Sequence, residues 1–335
     1  MPAPEAADGA NANAPAPPIE EEPQPEPEAE PEPPPAPDPL TLGADASLSV
    51  GSPTEGRLET SVALPLEGKG YRFNPNRNPD RRHGTVEMVQ ALVRAAGAVA
   101  DAVPGGVLTF GDLSMPQGGP IGGHASHRAG RDVDVMFYLL DDDSGEPMPS
   151  KMIPLEPDGT GIDFKDLTTG EDDVKVRLDV PRTWKFMEAL VSDPHAHINR
   201  IFVVEHVRTM LLAHAKKVRA PKAARQRFAD LTCQPSFPHD DHAHIRFFCS
   251  PDDIKGGCLD TRPIFPWHEQ VLAKARVQAK IAGPRTTKRP KLTSVDDAAK
   301  KAKEKLGAFH PDVDAFLERR KAWAKKPHPG RKYCK

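Results

Sequence analysis

An α+β fold with helices flanking a sheet is predicted by three features of this chain: a 3.6-residue apolar stripe following Thr85, two period-2 alternations that each follow a histidine cluster, and Gly/Pro-rich breaks between them. Residues 1–40 stand apart from that fold. They hold fourteen prolines and ten acidic residues with no lysine or arginine. So little apolar surface cannot offset the entropy of ordering, so residues 1–45 are expected to form a disordered, polyproline-like tail. The fold itself is expected over residues 46–265, with a basic helical extension over 266–335.

The elements follow in order. Thr85 can cap a helix running to about Val103, with Val86, Val89, Val93, Ala96 and Val103 near one stripe and Pro104-Gly105-Gly106 ending it. Val107 to Phe110 reads as a strand leading into the Gly-rich loop 117–123. That loop lacks the Gly-Lys-Ser/Thr ending of a phosphate cradle, and its glycines instead let backbone approach a cleft. Val133-Asp134-Val135-Met136-Phe137 is a strand-like run. A helix is expected over about Arg182–Val191, a strand over Ile201–Val204 and a helix over Val207–Lys217. In the last alternation His242, His244 and Arg246 share one strand face, and Ala243, Ile245 and Phe247 share the other. Beyond residue 265 the chain turns basic and helical, as in the Asp296–Lys303 stretch, and no internal repeat is visible.

Five of the thirteen histidines crowd into residues 123–134 and 239–244. A period-2 pair of imidazoles presents two nitrogens to one small site from a rigid strand. His127 and Asp134 stand seven residues apart across a Gly-containing turn. Two histidines and one carboxylate, with water in a fourth position, make an open catalytic zinc site. Asp132 competes with Asp134, because the two share a strand face if that strand begins early. The chain also carries a second His-x-His, His195-Ala196-His197, but it follows Asp193-Pro194 in a loop and has no His-x6-Asp partner. Cys233 is a further conceivable ligand, although a disulfide suits it better.

Together, Gly111-Asp112-Leu113-Ser114, Gly123-His124-Ala125-Ser126-His127, Asp132-Val133-Asp134 and His239-x-x-His242-x-His244 resemble the LAS group of zinc metallopeptidases (lysostaphin, D-Ala-D-Ala carboxypeptidase, sonic hedgehog-like). Within it they are most similar to the penicillin-insensitive murein endopeptidase family, over roughly residues 49–260. The resemblance implies an LAS-type fold with a central antiparallel sheet and one zinc ion per chain held by His127, Asp134 and His244. It makes His242 the base beside the metal, places His124 and His239 along the cleft, and selects Asp134 over Asp132, which would then orient a ligand. A second zinc is associated with the family near the position of His124, but no convincing Asp-x-x-His completes it here. The implied substrate is the D-alanyl–meso-diaminopimelyl cross-link between peptidoglycan stem peptides, and the implied compartment is the periplasm. A D,D-carboxypeptidase or dipeptidase of the same group, or a non-catalytic wall-binding module that keeps zinc, are the alternatives. Of the three pairings open to Cys233, Cys249, Cys258 and Cys334, a family loop bridge and proximity favour Cys249–Cys258, leaving Cys233–Cys334.

Charge and missing motifs narrow the function. Residues 1–56 carry twelve acidic side chains and no basic ones, so the overall −3 hides 45 basic against 36 acidic groups in the remainder. A positive body suits an anionic polymer. Nucleic acid is the weaker candidate, because no nucleic-acid motif is present and aromatic residues make up only 6%. There is no Ser-x-x-Lys to supply an acylatable serine and no His-Glu-x-x-His. An even cysteine count suggests an oxidising compartment. Met1–Leu40 shows no basic-then-apolar export pattern, and no run of eighteen apolar residues offers a membrane span. Deleting residues 2–40 is expected to leave the fold and zinc content nearly intact. A collapse of the melting temperature on truncation would overturn the tail assignment.

Overall fold

The structure is a computed structural model that describes residues 37–235, 237–288, 294–324 and 334. The expected acidic tail up to residue 36 lies outside the described residues, as do positions 325–333 of the basic extension. Packing begins at Pro39, which is buried, and Gln90 Nε2 donates to the carbonyls of Pro39 and Leu42 at 2.9 Å each. A deletion ending at residue 36 is therefore a cleaner cut than one ending at 40.

From the N-terminus, strands β1 (Leu48–Ser52) and β2 (Glu55–Thr60) form a hairpin, followed by the short strands β3 (Val62–Ala63), β4 (Glu67–Gly68), β5 (Tyr71–Phe73) and β6 (His83–Gly84). Helix α1 (Val86–Ala102) leads to β7 (Leu108–Phe110) and β8 (Asp132–Met136). Next come β9 (Leu139–Asp141), β10 (Pro147–Met148), β11 (Thr160–Asp163) and β12 (Val174–Leu178), which form a separate four-stranded antiparallel sheet. The chain continues through α2 (Val180–Ser192), β13 (Ile198–Phe202), α3 (Glu205–Lys217), α4 (Lys222–Leu231), β14 (Thr232–Cys233) and β15 (His242–Phe247). Helices α5 (Pro251–Gly256), α6 (Pro266–Ala275), α7 (Val295–Leu306) and α8 (Pro311–Ala324) complete it.

The central sheet has strand order β14-β13-β15-β8-β7-β5-β4. Its middle, from β13 through β7, is antiparallel, as the resemblance implied. Only β13–β14 and β5–β7 pair in parallel. On the register of β15 against β8, His244 faces Asp134 and Arg246 faces Asp132. Directly opposed residues share a sheet face, so these four side chains gather on one side. Val133, Val135, Ala243 and Ile245 point the other way, into a core shared with α1 and α2.

Helix α1 runs as expected, but its details differ. Thr85 occupies the N-cap position without a capping bond from its side chain, and Val86 N–H instead donates to Ser47 Oγ at 2.8 Å. Its buried residues are Val86, Met88, Val89, Ala91, Leu92, Ala95, Ala96 and Val99, with Val93 half-buried at the edge. Both disulfides form, Cys249–Cys258 and Cys233–Cys334. The latter rules out Cys233 as a thiolate ligand. No helix among the described residues is long and apolar enough to cross a membrane.

Behind the sheet, Arg131 is 1% exposed and donates to Ser49 Oγ, the carbonyls of Phe247 and Leu259, and Asp260 Oδ1. It ties the N-terminal hairpin and the loop after α5 to the end of β15. Burial pushes the Asp260 carboxyl up to about 6, against the pull of Arg131. Burial, and then the charge of Asp253, pushes Glu87 up to about 7. An acid whose pKa is raised on folding binds its proton more tightly in the folded state. Its contribution is thus present at low pH and lost as pH rises through the folded value. The melting temperature is expected to fall between pH 5 and pH 8, and Glu87→Gln should flatten that decline and raise stability at pH 8. A wild-type curve flat over this range would refute the assignment.

Candidate metal centre

The β8–β15 register positions the site, and the loops before each strand fill it. His127 adopts φ 63° and His239 φ 53°, left-handed conformations rare for non-glycine residues and concentrated at functional sites. Two bonds hold the backbone of His127 in that turn: its N–H donates to Asp132 Oδ2 at 3.0 Å, and its carbonyl accepts from Ser114 Oγ at 2.5 Å. Of the glycines in loop 117–123, Gly118 is the one packed against backbone. Gly118 has φ +68°, and a side chain there would meet the Arg128 carbonyl and the Arg57 backbone.

Three atoms converge. His127 Nε2 lies 3.2 Å from His244 Nδ1, and Asp134 Oδ1 lies 3.3 Å from the first and 3.2 Å from the second. Ligands at about 2.0–2.1 Å from a tetrahedral zinc are separated by roughly 3.3–3.4 Å, so this triangle has the size of one face of such a site. The other ring nitrogens show why these atoms face inward. His127 Nδ1 donates to the Leu113 carbonyl at 2.7 Å, leaving a lone pair on Nε2. His244 Nε2 sits 3.2 Å from Asp132 Oδ1, and this carboxylate favours the proton on Nε2 and a lone pair on Nδ1. Among the described residues, Asp134 Oδ1 is buried without a hydrogen-bond donor. An orphaned carboxylate oxygen facing two imidazole lone pairs is an arrangement a divalent cation would satisfy.

His242 and His124 flank this triangle. His242 Nδ1 donates to Asp241 Oδ1 at 2.6 Å, so its Nε2 points inward, 3.5 Å from Asp134 Oδ1. His124 Nδ1 is 3.7 Å from the other oxygen, Asp134 Oδ2, while its Nε2 contacts Asp112 Oδ2 at 2.9 Å. His124, His127 and Asp134 bring one donor atom each within 4.8 Å of one another and could also hold a metal ion. The two sets share His127 and Asp134. His239 packs its ring 5.0 Å from that of His242 and 5.8 Å from that of His244.

The protein's own charges bias these groups. Burial alone would raise the carboxyls of Asp132 and Asp134, yet both stay well below the usual range, Asp132 beside Arg246 and His244, and Asp134 beside His127 and His242. Burial opposes the charged form of His242, but Asp134 and Asp241 prevail and raise it to about 10. His244 is raised by Asp132 and Asp134 against its burial. Burial, with His242 and His244 nearby, drives His239 down to about 3, so its ring stays neutral.

All seven residues singled out from the sequence thus gather here: His124, His127, Asp132, Asp134, His239, His242 and His244. Asp132 and Asp134 do share a face of β8, and Asp132 is the outer partner, gripped by Arg246 Nε at 2.7 Å. His197 of the second His-x-His lines a different pocket, with Trp267 and Arg227. Three participants went unassigned in the sequence. Asp241 adjoins His242 and was visible as half of an Asp-Asp pair. Asp112 sits inside a quoted motif, where Arg81 Nη1 donates to it at 3.0 Å. Arg246 continues the face of His242 and His244. Residue type marked each as polar, but only contacts gave it a partner.

A family model described as penicillin-insensitive murein endopeptidase matches residues 49–290. The chain belongs to this family. Among similar proteins, the penicillin-insensitive murein endopeptidase of Haemophilus influenzae is 31% identical over 205 residues, covering 61% of this chain and 64% of its own length. That of Klebsiella pneumoniae is 29% identical over 217 residues, 64% of this chain and 70% of the relative. An Escherichia coli protein of the same name is 28% identical over 257 residues, 73% of this chain and 81% of its own. The family match takes in the whole histidine cluster and ends before α7.

His244→Ala is expected to lose most bound zinc on metal analysis, whereas His124→Ala should keep it. The reverse pattern would move the principal site to the His124 set.

Proposed function

We propose that this chain is a zinc-dependent murein endopeptidase that hydrolyses D-alanyl–meso-diaminopimelyl cross-links of peptidoglycan and is insensitive to penicillin. The observation that carries the reading is the triangle of His127 Nε2, Asp134 Oδ1 and His244 Nδ1, with His242 Nε2 beside it, 3.5 Å from Asp134 Oδ1. These three residues would hold the metal ion. When bound there, zinc supplies Lewis-acid activation of water and of the scissile carbonyl. Asp132, clamped by Arg246, keeps His244 oriented, and the Leu113 carbonyl does the same for His127.

His242 carries the proton. Asp241 fixes its ring through Nδ1; a cation bound at Asp134 would offset the charge that otherwise holds this ring protonated, and Nε2 could then take a proton from the attacking water and pass it to the leaving amine. Protonated in between, it places positive charge where the tetrahedral oxyanion develops. The neutral ring of His239 packs against His242 and excludes water from that side. The chain lacks the Ser-x-x-Lys serine that a β-lactam acylates in penicillin-binding enzymes. The family name supports peptidoglycan as partner. Two disulfides, which account for all four cysteines, support an oxidising compartment such as the periplasm.

Purified chain incubated with dimeric cross-linked muropeptides should release monomers identifiable by mass, unaffected by benzylpenicillin and abolished by a chelator. His242→Ala is expected to retain zinc and lose cleavage by roughly 10²-fold or more. Unchanged turnover in that variant would reject His242 as the proton carrier, and loss of zinc with it would exchange its role with His244. Release of free D-alanine without loss of dimers would favour a D,D-carboxypeptidase.

A further inference from the structure

Helix α8 lies beyond residue 290, where the family match ends, yet one of its side chains reaches the loop that carries the proposed proton carrier. Arg320 donates through Nε to Asp240 Oδ2 and through Nη2 to Asp240 Oδ1, both at 2.7 Å. The Asp240 side chain is fully buried and that of Arg320 is 11% exposed. A two-pronged guanidinium–carboxylate pair shielded from water fixes both distance and plane, which a single lysine contact does not. Asp240 stands one residue before Asp241 and two before His242.

Two backbone bonds also restrain the loop around Asp240. His239 takes a left-handed turn, and its carbonyl accepts from Val204 N–H at 3.1 Å; the Asp240 carbonyl accepts from Leu155 N–H at 2.9 Å. Neighbouring Arg319 makes a separate, more exposed pair with Glu156, through Nη2 at 2.6 Å and Nε at 3.1 Å. The helix itself is docked. Phe316 packs on Phe164 at 5.8 Å between ring centroids, and His310 lies 5.5 Å from Phe164 and 3.3 Å from Asp173 Oδ2. Of the two neighbouring arginines, Arg320 reaches the turn itself, whereas Arg319 anchors the helix at the surface. Arg320 is in addition a source of positive charge for Asp241.

We propose that Arg320, on the C-terminal helix, is a positioning residue that locks the Asp240–Asp241 turn and so aims His242 at the metal centre. The helical extension then forms part of the active-site wall. This inference rests on the reading of His242 as proton carrier, so its test has one arm that does not depend on cleavage.

Full-length Arg320→Ala, Arg320→Lys, Arg319→Ala and Asp240→Asn/Arg320→Met chains would be compared with wild type. Cleavage of dimeric muropeptide should show kcat reduced about tenfold or more in Arg320→Ala, with KM within about twofold and zinc retained. Partial recovery is expected in Arg320→Lys, and near-normal turnover in Arg319→Ala. The double variant removes the buried charge together with its partner, so it should fold even if Arg320→Ala does not, and it should stay slow. In parallel, proton NMR would follow the downfield His242 Nδ1–H signal, assigned by its loss in Asp241→Asn. That signal should broaden or disappear without Arg320 and persist in Arg319→Ala. A folded Arg320→Ala or double variant with wild-type kcat and an unchanged signal overturns the proposal. If wild type cleaves nothing, the functional reading fails, and the signal alone decides whether Arg320 positions His242.

Discussion

The pairing register of β15 on β8 is the constraint on which the site depends. It sets His244 opposite Asp134 and Arg246 opposite Asp132. In one stroke it creates a histidine–carboxylate edge and the outer carboxylate that orients that histidine. A slip of one residue would turn Ala243 and Ile245 to the site and the histidines into the core. The slip is opposed from behind, where Val133, Val135, Ala243 and Ile245 are buried against α1 and α2. Burial of small and branched apolar side chains on one face therefore enforces the chemistry of the other.

Charge balance organises the next layer. Five carboxylates surround the cluster, and four are hydrogen-bonded to a cationic or imidazole partner: Asp112 to Arg81 and His124, Asp132 to Arg246, Asp240 to Arg320, and Asp241 to His242. Asp134 differs, because its Oδ1 faces only imidazole nitrogens and lacks a hydrogen-bond donor. Burying a carboxylate is costly unless a cation compensates it. The local geometry marks Asp134 as the place where that compensation is missing, which is the ground of the metal reading.

Rigidity comes from sources scattered through the chain. The His127 turn is fixed by Asp132 and Ser114, the His239–Asp241 turn by Val204, Leu155 and α8, and the end of β15 by buried Arg131. Covalent ties close the same regions: Cys249–Cys258 just after β15, and Cys233–Cys334 from β14 to the C-terminus. Catalytic groups gain from being held within a fraction of an ångström, and loops cannot supply that alone.

The sequence by itself determined the α+β class, helix α1, the strand character around Asp134 and His244, and the seven residues of the cluster. Each is a local property: apolar periodicity, Gly/Pro punctuation, or histidines and carboxylates at short fixed spacing. It also carried the family resemblance, because the motifs are contiguous. Only the tertiary structure decided which ring nitrogen faces inward, because the Leu113 carbonyl and Asp132 lie 14 residues upstream of His127 and across the β8–β15 pair from His244, respectively. It likewise gave Asp241, Asp112 and Arg246 their partners, supplied the cap of α1 from Ser47 rather than Thr85, and brought Arg320 to a loop 80 residues away. Contacts between distant segments depend on how the whole chain packs, and no window of residues records them.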